Sequence, residues 1–149
     1  METYNELIER YEKKKESLEL DSQHVNVADL YFMQQALMCR EFTSEFFNYE
    51  LDGSIDSLEG LDEILRLMKD SATKAEITDY MIDLFLRGIS GYFGLMLLDE
   101  LHGVAMMISE DEAIIDFGGN EVKPYQEVLN SYQNHNQQLS DLYNFIKNH

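Results

Sequence analysis

The sequence predicts an α+β protein: mainly helical, about six helices around a central apolar helix, with one small antiparallel sheet of two or three strands late in the chain. Three observations carry this. Apolar residues recur at helical spacing through most of the chain. The stretch 74–100 is apolar on every side, with no charge from Gly88 to Leu98. Two short apolar runs within 104–117 flank Ser109-Glu110-Asp111 and end at Gly118-Gly119-Asn120, the pattern of a hairpin and a second turn. At 149 residues the chain reads as a single domain over 1–149, with residues 1–20 as a peripheral N-terminal helix.

The elements follow in order. Tyr4, Leu7, Ile8, Tyr11 and Leu18 predict a helix over about 3–19, supported by Glu6–Arg10 and Glu9–Lys13 four apart with the acid first. Its basic run, Lys13-Lys14-Lys15, alternates with Glu12 and Glu16 and reads as a solvated face. A helix over about 26–50 follows, with Asn26 as cap and Asp29 near its positive end. It carries two stripes: Leu30, Tyr31, Leu37, Met38, Phe42, Phe46 and Tyr49, then Phe32, Ala36, Cys39 and Phe47. Asp56-Ser57-Leu58-Glu59 reads as a capping box opening a helix to about Lys69, and Thr73-Lys74-Ala75-Glu76 reads as a second box opening the central helix. Gly88, Gly91 and Gly94 each cost about 1 kcal/mol against Ala inside that helix, which makes sense where another element packs closely. Strands over 104–108 and 113–117 and a short third one at 121–123 precede a helix starting at Pro124 and a last one over 139–146.

Composition narrows the partners. Twenty-nine acids against 11 Lys and Arg leave a formal charge of −18, with acids spread along every segment. Binding to nucleic acid or an anionic membrane, which runs on basic residues, is not expected; a basic protein partner is compatible. A lone Cys39 forms no internal disulfide and suits the reducing cytoplasm. The acidic start is unlike a signal peptide. The greasiest run, Leu84 to Leu98, spans roughly 22 Å as a helix and is expected to be core, not a membrane span.

No motif assembles a reaction centre. Asp52, Ser54, Asp56 and Glu63 have calcium-loop spacing, but Ser57 replaces the glycine such a loop needs and Glu59 the aliphatic residue. Asp116-Phe117-Gly118 lacks every other kinase element and reads as a turn. His24, His102, His135 and His149 show no zinc spacing. Cys39 reads as a buried small hydrophobe. No metal and no cofactor is expected.

The second half resembles uncharacterised bacterial single-domain families in which a helix with a Gly-aromatic-x-Gly segment leads into a β-hairpin and a Pro-aromatic helix. Gly91-Tyr92-Phe93-Gly94, the strands near 104–117 and Pro124-Tyr125 with Val128 carry that resemblance, and 56–62 looks like the preceding helix. The chain departs from the pattern in having no Trp at its first strand. Some similar small acidic proteins are immunity proteins that neutralise toxins, so the resemblance implies an inhibitor-type role.

Two functions are expected from these features. The first is a non-enzymatic interaction module whose hairpin tip, Glu110, Asp111 and Glu112, grips a basic partner. The second is a small enzyme or ligand-binding domain with a pocket between central helix and hairpin, built on Tyr92, Asp99, Glu100 and His102. Charge mimicry of nucleic acid is a third, which needs carboxylates at phosphate-like intervals.

Overall fold

A computed structural model describes residues 27–54, 56–101, 103–110, 112–134 and 137–148. Among the described residues there are five helices and three strands: α1 (Val27–Phe47), α2 (Ser57–Thr73), α3 (Asp79–Leu101), β1 (Val104–Ser109), β2 (Glu112–Asp116), β3 (Glu121–Val122), α4 (Pro124–Gln133) and α5 (Leu139–Lys147). The sixth expected helix, over 3–19, and the expected cap Asn26 lie outside the described residues.

The apolar stretch becomes the hub. Phe85, Leu86, Ile89, Phe93, Met96 and Leu97 of α3 are buried, and the glycines set the spacing of its main neighbour. A methyl group on Gly88 would meet the Phe42 ring at 2.8 Å, and one on Gly94 the Phe32 ring at 2.5 Å. On Gly91 it would collide with the Cβ of Gln35 and lie 3.1 Å from the Ala36 nitrogen. The three glycines therefore form a track along which α1 lies antiparallel, its backbone closest at Gly91. Phe42 stacks on Phe85 at 4.2 Å between centroids, closing the far end. Twenty-three residues long, α3 is apolar enough to cross a membrane by length and composition; 61% of its most apolar window is buried inside the protein.

Both expected stripes on α1 contribute to the packing, the first through Met38 and Phe42 and the second through Phe32, Ala36 and Cys39. Phe32, Ala36 and Cys39 are buried, joined by Phe42, whereas Phe46 is 40% exposed and Tyr31 and Leu37 are half-buried. The close approach at the glycines favours the face with small residues: Ala36 and Cys39 fit against a bare helix, and larger side chains there would not.

Both expected capping boxes are corrected. Asp56 is already helical (φ −62°, ψ −23°) and makes no side-chain cap bond. The turn is held instead by Asp52, whose Oδ1 accepts from the Ser54 nitrogen at 2.9 Å and its hydroxyl at 2.6 Å. Thr73 ends α2 rather than opening α3. Ala75 takes φ +57°; the Glu76 N–H bonds the Ser71 carbonyl and the Ala75 N–H that of Ala72. This is a Schellman ending with alanine where glycine is usual. The cap of α3 is Thr78, whose Oγ1 accepts from the Met81 N–H at 3.2 Å, so the helix starts about five residues later than its apolar pattern suggests.

The sheet has order β1-β2-β3, all antiparallel, with Ala105 opposite Ile115 and Ile115 opposite Val122. Ala113, Ile114 and Ile115 of the central strand are all buried. Pro124 opens α4, which packs on α3 and β2. The last helix, α5, is capped from a distance. Asp62 of α2 accepts from the Leu139 N–H at 2.7 Å, the Ser140 N–H at 3.3 Å and the Ser140 hydroxyl at 2.8 Å. A carboxylate facing the unpaired N–H groups of a helix start is favourable both by hydrogen bonding and by the helix dipole. Burial nonetheless outweighs those bonds and pushes the Asp62 carboxyl above its ordinary value.

Candidate functional site

Among the described residues, Tyr92 of the expected pocket lies apart from Asp99 and Glu100. Tyr92 is buried, and its hydroxyl accepts from the Gly53 N–H at 2.8 Å and lies 2.7 Å from Ser57 Oγ. Because the Ser57 hydroxyl donates to the Ser54 carbonyl, the Tyr92 O–H points its own proton at Ser57. The group thus ties the 52–57 turn to α3. Asp99 and Glu100 are exposed at the end of the same helix, about 10 Å further along its axis from Tyr92. His102 lies outside the described residues, as do the other three histidines.

The calcium-like spacing does not converge either. Asp52 is occupied by Ser54, which holds its carboxyl below the ordinary value, and Glu63 is paired with Arg66 on the surface of α2. Among the described residues, no three His, Cys, Asp or Glu side chains gather as a ligand set. Cys39 is fully buried, and desolvation pushes its thiol well up despite the neighbouring Arg40. A protonated, enclosed thiol is a poor nucleophile.

The hairpin carries the expected acidic tip and an apolar strip beside it. Glu110 is exposed and Glu112, half-buried, opens β2; Asp111 lies outside the described residues. Along β1, Val104, Met106 and Ile108 are 60%, 40% and 51% exposed, while Ala105 between them is buried. Period-two alternation puts Val104 and Met106 on one side of the strand, opposite Ala105; Ile108 falls at the β-bulge between Met107 and Ser109, where the alternation is interrupted, and is exposed there. Exposed apolar side chains close together, next to the carboxylates of the turn, form a surface that water solvates poorly.

Concavities lie beside the helices among the described residues. A cleft of about 510 Å³ lies between α2 and the α4–α5 junction. Its polar groups are largely committed to holding the fold. Asp62 caps α5, and Lys69 donates to the Tyr132 carbonyl at 3.3 Å with its ammonium 4.9 Å from the ring centre. The second, of about 560 Å³, opens between the end of α3, β3 and α5. Its floor is Leu101, Phe117, Val122, Leu142 and Ile146, with Phe145 at its mouth 61% exposed. Asn120, Glu121, Glu127 and Lys147 also line it. This groove was not legible from the sequence, because its walls come from segments up to 46 positions apart; the one local signal is the spacing of Leu142, Phe145 and Ile146.

No protein-family model, no curated protein and no solved structure matches this chain.

Proposed function

We propose that the chain is a non-enzymatic interaction module, of inhibitor or immunity type, that docks a basic protein through its β-hairpin. The observation that supports this is the juxtaposition on the hairpin of the exposed strip Val104, Met106 and Ile108 with the acidic tip at Glu110 and Glu112. The two parts have different tasks. Carboxylates on a chain of charge −18 speed encounter with a cationic partner and reject acidic ones. Apolar side chains that lose their water on docking supply the affinity. Surface carboxylates act through screened fields, so the encounter is salt-dependent over a range of about 10 Å at 0.1 M salt.

The test is capture of a basic protein from the native host at low salt, repeated at high salt and with two variants. Release at high salt, loss with Glu110→Lys/Glu112→Lys, and weakening with Met106→Asp are expected. Capture that neither salt nor either variant changes would refute the reading.

A further inference from the structure

We infer that Asp52-Gly53 is a site of spontaneous covalent modification, at which the chain isomerises to isoaspartate, and that Tyr92 sets the rate by holding the 52–57 turn closed. This holds whatever the hairpin docks.

The sequence singles out this bond. Isomerisation begins when a backbone nitrogen reaches the side-chain carboxyl of the residue before it, and glycine, with no Cβ, hinders that approach least. Asp52-Gly53 is the one Asp-Gly pair in the chain, and there is no Asn-Gly pair. Both residues are exposed, Gly53 has φ +80°, and nothing stands within 4 Å of where its Cβ would be. Water therefore reaches the turn. In the first step the Gly53 nitrogen bonds to Asp52 Cγ, and the carboxyl hydroxyl leaves with the nitrogen's proton as water. A second water then opens the resulting succinimide ring. Attack at the main-chain carbonyl breaks the original peptide bond and leaves Gly53 joined through the Asp52 side-chain carbon, with a free α-carboxylate. Nothing is oxidised or reduced, and the mass is unchanged.

Two clamps stand in the way. The Gly53 N–H donates to Tyr92 Oη at 2.8 Å, so the proton that must leave faces a buried hydroxyl instead of water. Asp52 Oδ1 accepts from the Ser54 nitrogen at 2.9 Å and its hydroxyl at 2.6 Å. Those bonds tie the carboxyl to Ser54 and favour its ionised form, which gives up an oxygen least readily. Ser57 completes the frame, donating its hydroxyl to the Ser54 carbonyl and lying 2.7 Å from Tyr92 Oη. Tyr92 itself is packed into the core on α3, 3% exposed, so the anchor is fixed while the turn moves. Ring closure waits for an opening in which the Gly53 peptide swings off Tyr92 and the Asp52 carboxyl off Ser54. When openings are faster than cyclisation, the rate is that of the unfolded chain multiplied by the open fraction. The product does not rebuild the turn, because the extra main-chain methylene carries the Gly53 N–H out of register with Tyr92.

The experiment ages the full chain in warm neutral buffer. Isoaspartate at residue 52 is read by electron-transfer fragmentation of the proteolytic peptide, and amide exchange at Gly53 is measured alongside. The parent unfolded in guanidinium chloride gives the unprotected rate. Isoaspartate is expected in that sample at Asp52 before any other aspartate, and in the folded parent more slowly by about tenfold or more. Tyr92→Phe should speed the folded chain by about tenfold, the factor one lost hydrogen bond gives, and by the same factor as it speeds Gly53 exchange. Ser54→Ala leaves Tyr92 in place and should accelerate less, since the backbone N–H at 54 remains; it reads the second clamp if Tyr92→Phe does not fold. Circular dichroism shows that each variant is folded. Absence of isoaspartate at residue 52 from the unfolded parent would overturn the site. Equal rates in the folded and unfolded parent would overturn its protection by the turn. A folded Tyr92→Phe chain that exchanges Gly53 faster yet isomerises at the parent's rate would overturn the part given to Tyr92.

Discussion

Gly91→Ala tests the central packing argument. Elsewhere in a helix this change is favourable by about 1 kcal/mol, because Ala loses less backbone freedom on folding. Here the new Cβ collides with the Cβ of Gln35 and stands 3.1 Å from both the Ala36 nitrogen and the Gln35 carbonyl carbon. None of these is the free end of a flexible side chain, so only a movement of α1 relieves the contact. Carbon atoms sit best at about 3.5–4.0 Å, which requires the two helices to part by roughly 1 Å at this point. A gap of that size forfeits a quarter to a half of the dispersion energy of the pairs it separates, and Phe32, Ala36, Cys39 and Phe42 all lie on that seam. Overpacking costs of about 1–3 kcal/mol are ordinary, and a collision with backbone falls at the upper end or beyond. After the propensity gain, Gly91→Ala should destabilise by about 2 kcal/mol. Urea unfolding followed by circular dichroism should show a midpoint lowered by about 1 M at unchanged slope, taking a slope of about 2 kcal/mol/M. Gly88→Ala, which meets a ring edge at 2.8 Å and backbone only at 3.4 Å, should cost less. A Gly91→Ala chain as stable as the parent would refute the close approach of α1 to α3.

Ala75→Gly should stabilise by about 1 kcal/mol in the same assay, because the residue sits at φ +57° where an L side chain is strained. Tyr92→Phe removes the acceptor of the Gly53 N–H and the partner of Ser57, and should cost about 1–2 kcal/mol by urea melts, with faster amide exchange at Gly53. Asp62→Ala should cost about 1 kcal/mol and fray α5, seen as faster exchange at Leu139 and Ser140. Asp62 also has a defined pH signature. Its carboxyl is raised in the folded state, so the folded chain holds the proton more readily than the unfolded one, and this group's contribution grows as pH falls through the raised value and is lost as pH rises through it. Stability of the parent relative to Asp62→Asn should therefore increase as the pH is lowered from neutral into that range; a decrease would contradict the dominance of burial at this carboxylate.

Local pattern made much of this fold readable. The uncharged run in α3, its three glycines and the two short strands were recognisable because period and turn chemistry are properties of neighbouring residues. The ends of helices were less so. Thr73-Lys74-Ala75-Glu76 has the letters of a capping box, yet Ala75 adopts the left-handed conformation that stops α2, and Thr78 takes the capping role. The choice between a start and a stop depends on where α3 can first reach α1, which is tertiary information. The clasp of Asp62 on Leu139 joins residues 77 positions apart and leaves no trace in either segment. Tyr92 was legible as a polar group on the core helix but not as the tie to the 52–57 turn. The acidic tip could be read from three consecutive letters, while the exposure of Val104, Met106 and Ile108 beside it depends on which face of β1 the helices cover.

Cys39, sealed on the face of α1 that meets the glycine track, furnishes the chain with a gauge of its own breathing. A thiol-modifying reagent reaches the sulfur only during openings of that seam, so its rate of labelling in native buffer counts those openings without any added probe. Variants that loosen the helix pair should be tagged sooner, and a partner that grips the hairpin alone should leave the clock running at its original pace.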